Sequence, residues 1–405
     1  MAEFKYDFTS ILDRTGMDAI AVAPEEDPYG IAPKGQTKEG FDLIPMWVAD
    51  MNFPTVPTIC DAILQRASHP AFGYFAPRKE YFDSIIRWQT LRNQVEGLEK
   101  KHIGYQNGVL GGVLSALAVL CSMGDNVLIH TPTYVGFLEE VGQVGYHLIG
   151  SELKKDAEGV WRMDFEDMEQ KIRRHHIHTA IFCSPHNPTG RVWTREELEQ
   201  AYEIFRRNDV YVISDEIWSD LVLRGNRHIP LQSVSEDARN RTVAFYAPSK
   251  TFNLAGLVGS YHIIYNDYLR DRIRRQSNLS VYNAMNVLSM HALIGAYRPE
   301  GEEWVDELRQ VLTKNVDFAV DFIRENLSGV EVSRPEGTYM LLLDCGQWLH
   351  DHNKTLDELL VAGVEVGVLW QDGRQFDRED SIRMNLALPF TRVEEAFQRL
   401  AKYVF

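Results

Sequence analysis

Strands alternate with helices through the middle of the chain, and the order turns strand-rich after one long helical stretch near residue 300. Together these predict an α/β fold: a large domain with a mainly parallel sheet sandwiched by helices, then a smaller α+β domain. The 405 residues, 44% hydrophobic and 25% charged, leave room for both cores. Residues 1–55 read as an irregular segment, with Pro and Gly scattered from Pro24 to Gly40, expected to pack with the small domain. A helix follows over Pro57–Ala67. The large domain is expected over residues 56–298. Its strands, runs of Val, Ile, Phe and Thr, are Asn126–His130, His147–Ser151, Thr179–Cys183, Val210–Ser214, Thr242–Tyr246 and Ser260–Ile264. An uncharged helix spans Val113–Cys121, and Thr194 with Glu197 forms a capping box for a helix over Arg195–Arg207. From Pro299 to about Leu327, Trp304, Leu308, Val311, Leu312, Phe318 and Phe322 recur near 3.6 spacing, opening a small domain over residues 299–405. It continues with strands, a helix near Thr355–Ala362, and a last helix capped by Thr391 and Glu394.

Charge and cysteine usage narrow the function. A formal net charge of −16 argues against nucleic acid or an anionic membrane as partner. Cys60, Cys121, Cys183 and Cys345 show no CxxC spacing and lie in apolar runs, so they read as free, buried thiols of a reducing compartment. The N-terminus lacks a signal peptide's apolar core, and the longest uncharged run, Gly108 to Met123, is too short and glycine-rich for a membrane span. A soluble, cytoplasmic protein acting on a small molecule is expected, with no metal site.

In open α/β sheets, ligands bind beyond the carboxyl ends of the strands. After Thr242–Tyr246 comes Ala247-Pro248-Ser249-Lys250-Thr251-Phe252-Asn253, a turn-forming stretch around a lysine. A lysine desolvated by a cleft loses basicity and becomes a usable amine, one that condenses with aldehydes, pyridoxal phosphate above all. The other strand ends carry what such a cofactor needs. Tyr134, after Asn126–His130, offers an aromatic face to a flat ring. Asn187, in Ser184-Pro185-His186-Asn187-Pro188-Thr189-Gly190, offers an amide. Asp215 could pair with a protonated pyridine nitrogen, making the ring an electron sink. Gly108, Val109 and Leu110 open a helix whose free N–H groups and dipole suit a phosphate, to which Ser249 could add a hydroxyl. Singly, each has a plainer reading: Asp215 as a turn cap, Tyr134 as a packed aromatic, Asn187 as turn chemistry, the glycines as a helix start. Their order along successive strand ends is what carries the inference. In Ser381 to Leu388, apolar Ile382, Met384, Leu386 and Leu388 alternate with Ser381, Arg383, Asn385 and Ala387. Arg383 is either on an exposed strand face or a bidentate carboxylate clamp.

The segments His186-Asn187-Pro188-Thr189-Gly190, Asp215-Glu216 and Ser249-Lys250 resemble the class I/II aminotransferase superfamily of pyridoxal-phosphate enzymes. Trp47 to Phe53, Phe72-Gly73-Tyr74, Cys183 to Trp193 and Ala247 to Gly256 resemble in particular the MalY/PatB-type carbon–sulfur β-lyases, from near residue 40 to the C-terminus. The resemblance implies the aminotransferase-like fold (fold type I) and a homodimer with shared active sites. It implies that Tyr74 reaches the partner's cofactor phosphate and that Arg383, with Asn187, binds the substrate's α-carboxylate. The expected reaction is α,β-elimination of L-cystathionine or another S-substituted L-cysteine, with Lys250 as general base and thiol, pyruvate and ammonia as products. An amino-acid aminotransferase uses the same residues and is the rival reading; a cofactor-bearing regulatory protein is the third. Two departures stand out. Trp218 occupies a position where the family usually has histidine, and Asn52 one that is often acidic.

Overall fold

The computed structural model describes residues 4–279 and 282–405. Residues 1–3, where the expected irregular segment begins, and 280–281 lie outside it. The large sheet has seven strands: β1 (Ile103–Asn107), β2 (Asn126–Thr131), β3 (His147–Glu152), β4 (Thr179–Cys183), β5 (Tyr211–Asp215), β6 (Thr242–Tyr246) and β7 (Gly259–Ile263). Their spatial order is β1-β7-β6-β5-β4-β2-β3. The run β6-β5-β4-β2-β3 is parallel, while β7 is antiparallel to both β6 and β1. Every residue of β4 and β6 is buried, as a parallel sheet covered on both faces requires. Helix α1 (Pro57–Ala67), α2 (Lys79–Asn93), α3 (Gly108–Leu120), α4 (Phe165–Arg174) and α5 (Arg195–Arg207) precede or flank these strands. The capping box of α5 is formed, with Glu197 N–H donating to Thr194 Oγ1 and Thr194 N–H to Glu197 Oε2.

Helix α6 (Pro299–Asn326) starts on its proline, which has no N–H to leave unsatisfied, and buries Trp304, Leu308, Val311 and Leu312. Beyond it, β8 (Glu331–Val332), β9 (Met340–Asp344), β10 (Gln371–Asp372) and β11 (Ser381–Asn385) form an antiparallel sheet in the order β8-β9-β11-β10. Helices α7 (Leu356–Glu365) and α8 (Phe390–Tyr403) complete this part. Near the N-terminus, Ile44–Pro45 pairs in parallel with Val368–Leu369. Phe8 packs on Phe53 and Trp304 with ring centroids 5.3 and 5.5 Å away.

Several expectations need correcting. Strand β1 and helix α2 were not anticipated. Helix α3 begins at Gly108, a turn before Val113, because Gly108 takes φ +71° and so turns the strand into the helix without steric cost. Gly112 then lies so close to the sheet that a Cβ there would sit 2.4 Å from the Phe245 ring. Thr391 and Glu394 do not cap α8. Pro389 is the N-cap, its carbonyl accepting from Arg392 and Val393 N–H, which places Thr391 inside the first turn. Of the four cysteines, all free, Cys183 and Cys345 are buried, Cys121 is half-buried and Cys60 is exposed on the outer face of α1. No helix among the described residues is long and apolar enough to cross a membrane.

Candidate active site

Residues past the carboxyl ends of β2, β4, β5 and β6 converge with Arg383 of β11 on one cleft: Tyr134 and Lys250 both feel the charges of Arg383 and Asp215, and Arg383 bonds Asn187. Lys250 stands four residues past β6, half-buried, its Nζ donating to the Ala49 carbonyl at 3.2 Å and lying 5.9 Å from the centre of the Trp218 ring. Burial, helped by the positive charge of Arg383, lowers its pKa to about 8, against the pull of Asp50 and Asp215. Asp215 ends β5, and burial raises its carboxyl pKa to about 6 despite one hydrogen bond from Ile217 N–H and the nearby Lys250. Its neighbour Glu216 points the other way and is fully tied. Ser214 Oγ, Tyr246 OH, Leu231 N–H and the His228 ring all bond to it, at 2.6 to 3.2 Å.

Arg383 is not on an exposed strand face: all of β11 is buried, and its guanidinium points into the cleft wall. It donates to Asn187 Oδ1 at 3.1 Å, to the Trp47 carbonyl at 3.2 Å and to Gln371 Oε1, and lies 4.2 Å over the Phe376 ring. Its Nε has no partner, and burial lowers its pKa to about 10. Asn187 is thereby shown to meet Arg383 directly. Tyr134 sets its ring edge-on to Phe137 at 5.5 Å, and the loop before it is joined to the small sheet's side by Thr133 N–H on the Phe376 carbonyl.

At the start of α3 one expectation changes. The Gly108 N–H is not free, since it donates to the Val258 carbonyl at 2.7 Å. The glycine makes the turn, while Val109 and Leu110, in the first turn of a helix whose N-cap side chain bonds none of its amides, keep theirs. Ser249 Oγ has no hydrogen-bond partner among the described residues. Tyr74 is not in this cleft at all: it is fully exposed, within a stretch from Ala67 to Glu80 that is exposed throughout.

The sequence of Trp47 to Phe53 marks the segment by its resemblance but assigns it no role. In the structure it is a strap between the two sides of the site, its Ala49 carbonyl accepting from Lys250 and its Trp47 carbonyl from Arg383. Asn253, at φ +58°, holds it twice, accepting from Met51 N–H at 3.0 Å and donating to the Met51 carbonyl at 2.8 Å. Asn385 donates to the Val48 and Asp50 carbonyls from β11. Arg14 pairs with Asp50 at 2.6 Å and reaches Asn52 Oδ1 at 3.5 Å, so the position of Asn52 beside a guanidinium explains why an acid is chemically at home there. Trp218 packs edge-on against Tyr339 at 4.8 Å behind Lys250. The polar residues Asn253 and Asn385 were the available signal, each following a site residue by two or three positions.

The site thus brings together an amine and a carboxylate from the mostly parallel sheet and a guanidinium from the small antiparallel one, and the chain's sequence matches the aminotransferase class I and II family. The chain belongs to that family, matching it over residues 42–400. It is 31% identical to "Cystathionine beta-lyase PatB" of Bacillus subtilis (strain 168), over 89% of this chain and 92% of that one. Among solved structures it resembles a PLP-bound C–S lyase from Staphylococcus hominis (30% identity, TM-score 0.87, 98% and 99% of the chains). It also resembles a PLP-bound putative aminotransferase from Clostridium difficile 630 (32% identity, TM-score 0.90, 99% and 100%).

Proposed function

We propose that this chain is a pyridoxal-phosphate-dependent carbon–sulfur β-lyase, taking S-substituted L-cysteines such as L-cystathionine to a thiol, pyruvate and ammonia. The Lys250 amine, with pKa lowered to about 8 and with Arg383 and Asp215 near it, is the observation that carries the pyridoxal-phosphate chemistry. The lyase reading over the aminotransferase one is supported by relatives named cystathionine beta-lyase, at 31% and 28% identity, and by the C–S lyase of Staphylococcus hominis.

The residues present fit the cofactor. Two uncapped amides at Val109 and Leu110 and the Ser249 hydroxyl suit a phosphate. Tyr134 offers a ring face, and Asp215, ionised above about pH 6, suits a protonated pyridine nitrogen. When bound, pyridoxal phosphate supplies an electron sink for the pair left at Cα when the α-proton departs. The chain's own residues do the rest. Lys250 Nζ takes that proton, and its lowered pKa leaves an appreciable unprotonated fraction near neutrality. Arg383 grips the α-carboxylate with its planar fork, oriented by Asn187, Gln371 and the Trp47 carbonyl. Held so, Cα–H and Cβ–S stay aligned while the thiolate leaves.

Three further parts belong to the reading. The chain divides at residues 1–55, 56–298 and 299–405. It acts in the cytoplasm. It works as a homodimer in which the exposed Tyr74 reaches the partner's cofactor phosphate. Tyr74→Phe should weaken cofactor retention, and an active monomer by sedimentation would remove that role. The function itself is tested with a panel of S-substituted cysteines assayed for pyruvate and free thiol. Turnover without added 2-oxo acid is expected. A requirement for a 2-oxo acid, with no thiol released, would establish the aminotransferase instead.

A further inference from the structure

A second concave site lies between the end of α2, the loop from Ser219 to His228, and α6. It is a cleft of about 440 Å³ whose wall carries Arg92, Arg227, Arg309 and His228. None of the residues assigned above to the active site lines it. Three guanidinia around one hollow run against the grain of a chain with net charge −16.

Their charge is incompletely answered. Asp306 Oδ1 lies 2.7 Å from Arg92 Nη1 and 3.9 Å from Arg309 Nη1, so one half-exposed carboxylate serves two cations. Arg309 donates through Nε to the Val222 carbonyl at 2.6 Å, and its basicity is lowered by burial and then by Arg92 beside it. Arg227 is exposed and pairs with no carboxylate among the described residues. Arg92 Nη2 and His228 Nδ1 are buried with no hydrogen-bond partner. The one carboxylate in the wall, Asp220, lies near enough to Arg92 and Arg309 to feel their charge but makes its hydrogen bonds inward. It accepts from Trp88 Nε1 and Thr251 Oγ1, both at 3.0 Å, and burial holds its pKa above the usual range. The hollow therefore presents guanidinium forks with too few acceptors, a donor set that matches a tetrahedral oxyanion.

We propose that this cleft binds a phosphate-type dianion, gripped by Arg227 and Arg309 with Arg92 behind them. Its volume admits a phosphomonoester as readily as the free ion, so the natural source is either a phosphorylated metabolite or inorganic phosphate. The charge would arrive one hydrogen-bonded residue, Asp220, from the Thr251 hydroxyl next to Lys250.

The test is calorimetric titration of the cofactor-loaded enzyme, whose phosphate loop is then filled, at constant ionic strength set with potassium chloride. Inorganic phosphate and glycerol 3-phosphate are the two probes. Saturable 1:1 binding of at least one is expected, weakened at least about tenfold in R227Q and in R309Q, with the cofactor's absorbance unchanged in both variants. Tighter binding of the ester assigns the site to a metabolite, and equal or tighter binding of the free ion to phosphate itself. No saturable binding of either probe overturns the proposal. So does unchanged affinity in R227Q, a surface change that leaves the fold alone.

Discussion

The two walls of the cleft are satisfied very differently. On the wall made by the parallel sheet, Lys250 has one hydrogen bond, to a carbonyl, and Asp215 accepts one, from a backbone amide, among the described residues. On the wall made by the small sheet, Arg383 donates to three acceptors and lies on an aromatic face. Asp215 and Arg383 are both buried and Lys250 is half-buried, so burial alone does not separate the walls. Groups that must change protonation state or receive a partner's charge are left short of bonds, while burial moves the pKa values of all three groups, Arg383 included, toward neutrality. The group that must hold a substrate still is tied down. Glu216 sharpens the contrast: next to Asp215 in sequence but facing inward, it has four donors, and none of its oxygens is left for a ligand.

The comparison can be broken at either wall. Lys250→Ala should cut pyruvate release by at least ~10²–10⁴-fold, the usual worth of a general base, while the phosphate loop and Asp215 still retain cofactor. Elimination that survived the change would move the base elsewhere. On the holding wall, Arg383→Lys keeps a charge but loses the fork. Misplacing the substrate by an ångström costs roughly 10²-fold in kcat, so kcat should fall as KM rises. A rise in KM with kcat intact would reduce Arg383 to uniform binding.

Asp215→Asn tests whether the short-bonded wall stores instability. The carboxyl pKa is 3.8 in its ordinary state and about 6 when folded, so the folded chain binds that proton more tightly than the unfolded one. Stability therefore falls as pH rises from 3.8 through about 6 and stays lower above it. A shift of that size is worth about 3 kcal/mol. Cofactor-free Asp215→Asn should thus melt higher than wild type at neutral pH, and the gap should close in acid below the ordinary carboxylate pKa. A constant gap at all pH values would trace the effect to packing. The smallest effect is expected away from both walls. Thr194→Ala removes the cap of α5, costing about 1 kcal/mol of stability, and should leave kcat unchanged. If kcat fell as well, the loop carrying Asn187 would be coupled to the helix after it.

Much of the parallel sheet was legible because Val, Ile, Phe and Thr cluster in runs such as Thr179–Cys183 and Thr242–Tyr246, bounded by Pro, Ser and Asp. Strand β1 was not. Ile103-Gly104-Tyr105-Gln106-Asn107 carries glycine and amides, and its pairing with β7 depends on a partner over 150 residues away, with His262 filling the space over Gly104. Helix α2 hid behind a charged face, its buried Tyr81, Ile85 and Trp88 too sparse to stand out. The site shows the same division. Lys250, Asp215 and Asn187 follow strand ends and carry their own turn chemistry. The Trp47 to Phe53 strap works through backbone carbonyls, which any residue supplies, so its role could not be read from side chains.

That strap also bears on how the molecule is made. Its bonds to Asn253 and Arg383 span 202 and 336 positions of the chain. At synthesis rates of about 5–20 residues per second, Trp47 leaves the ribosome roughly tens of seconds before Arg383. Through that interval Lys250, once made, lacks the arginine whose charge helps lower its basicity, and no clamp exists for an amino acid's carboxylate. Contacts this distant in sequence also form late in folding. The reactive amine is thus a property of the folded chain, since burial, the main cause of its lowered basicity, and the charge of Arg383 both come only with folding.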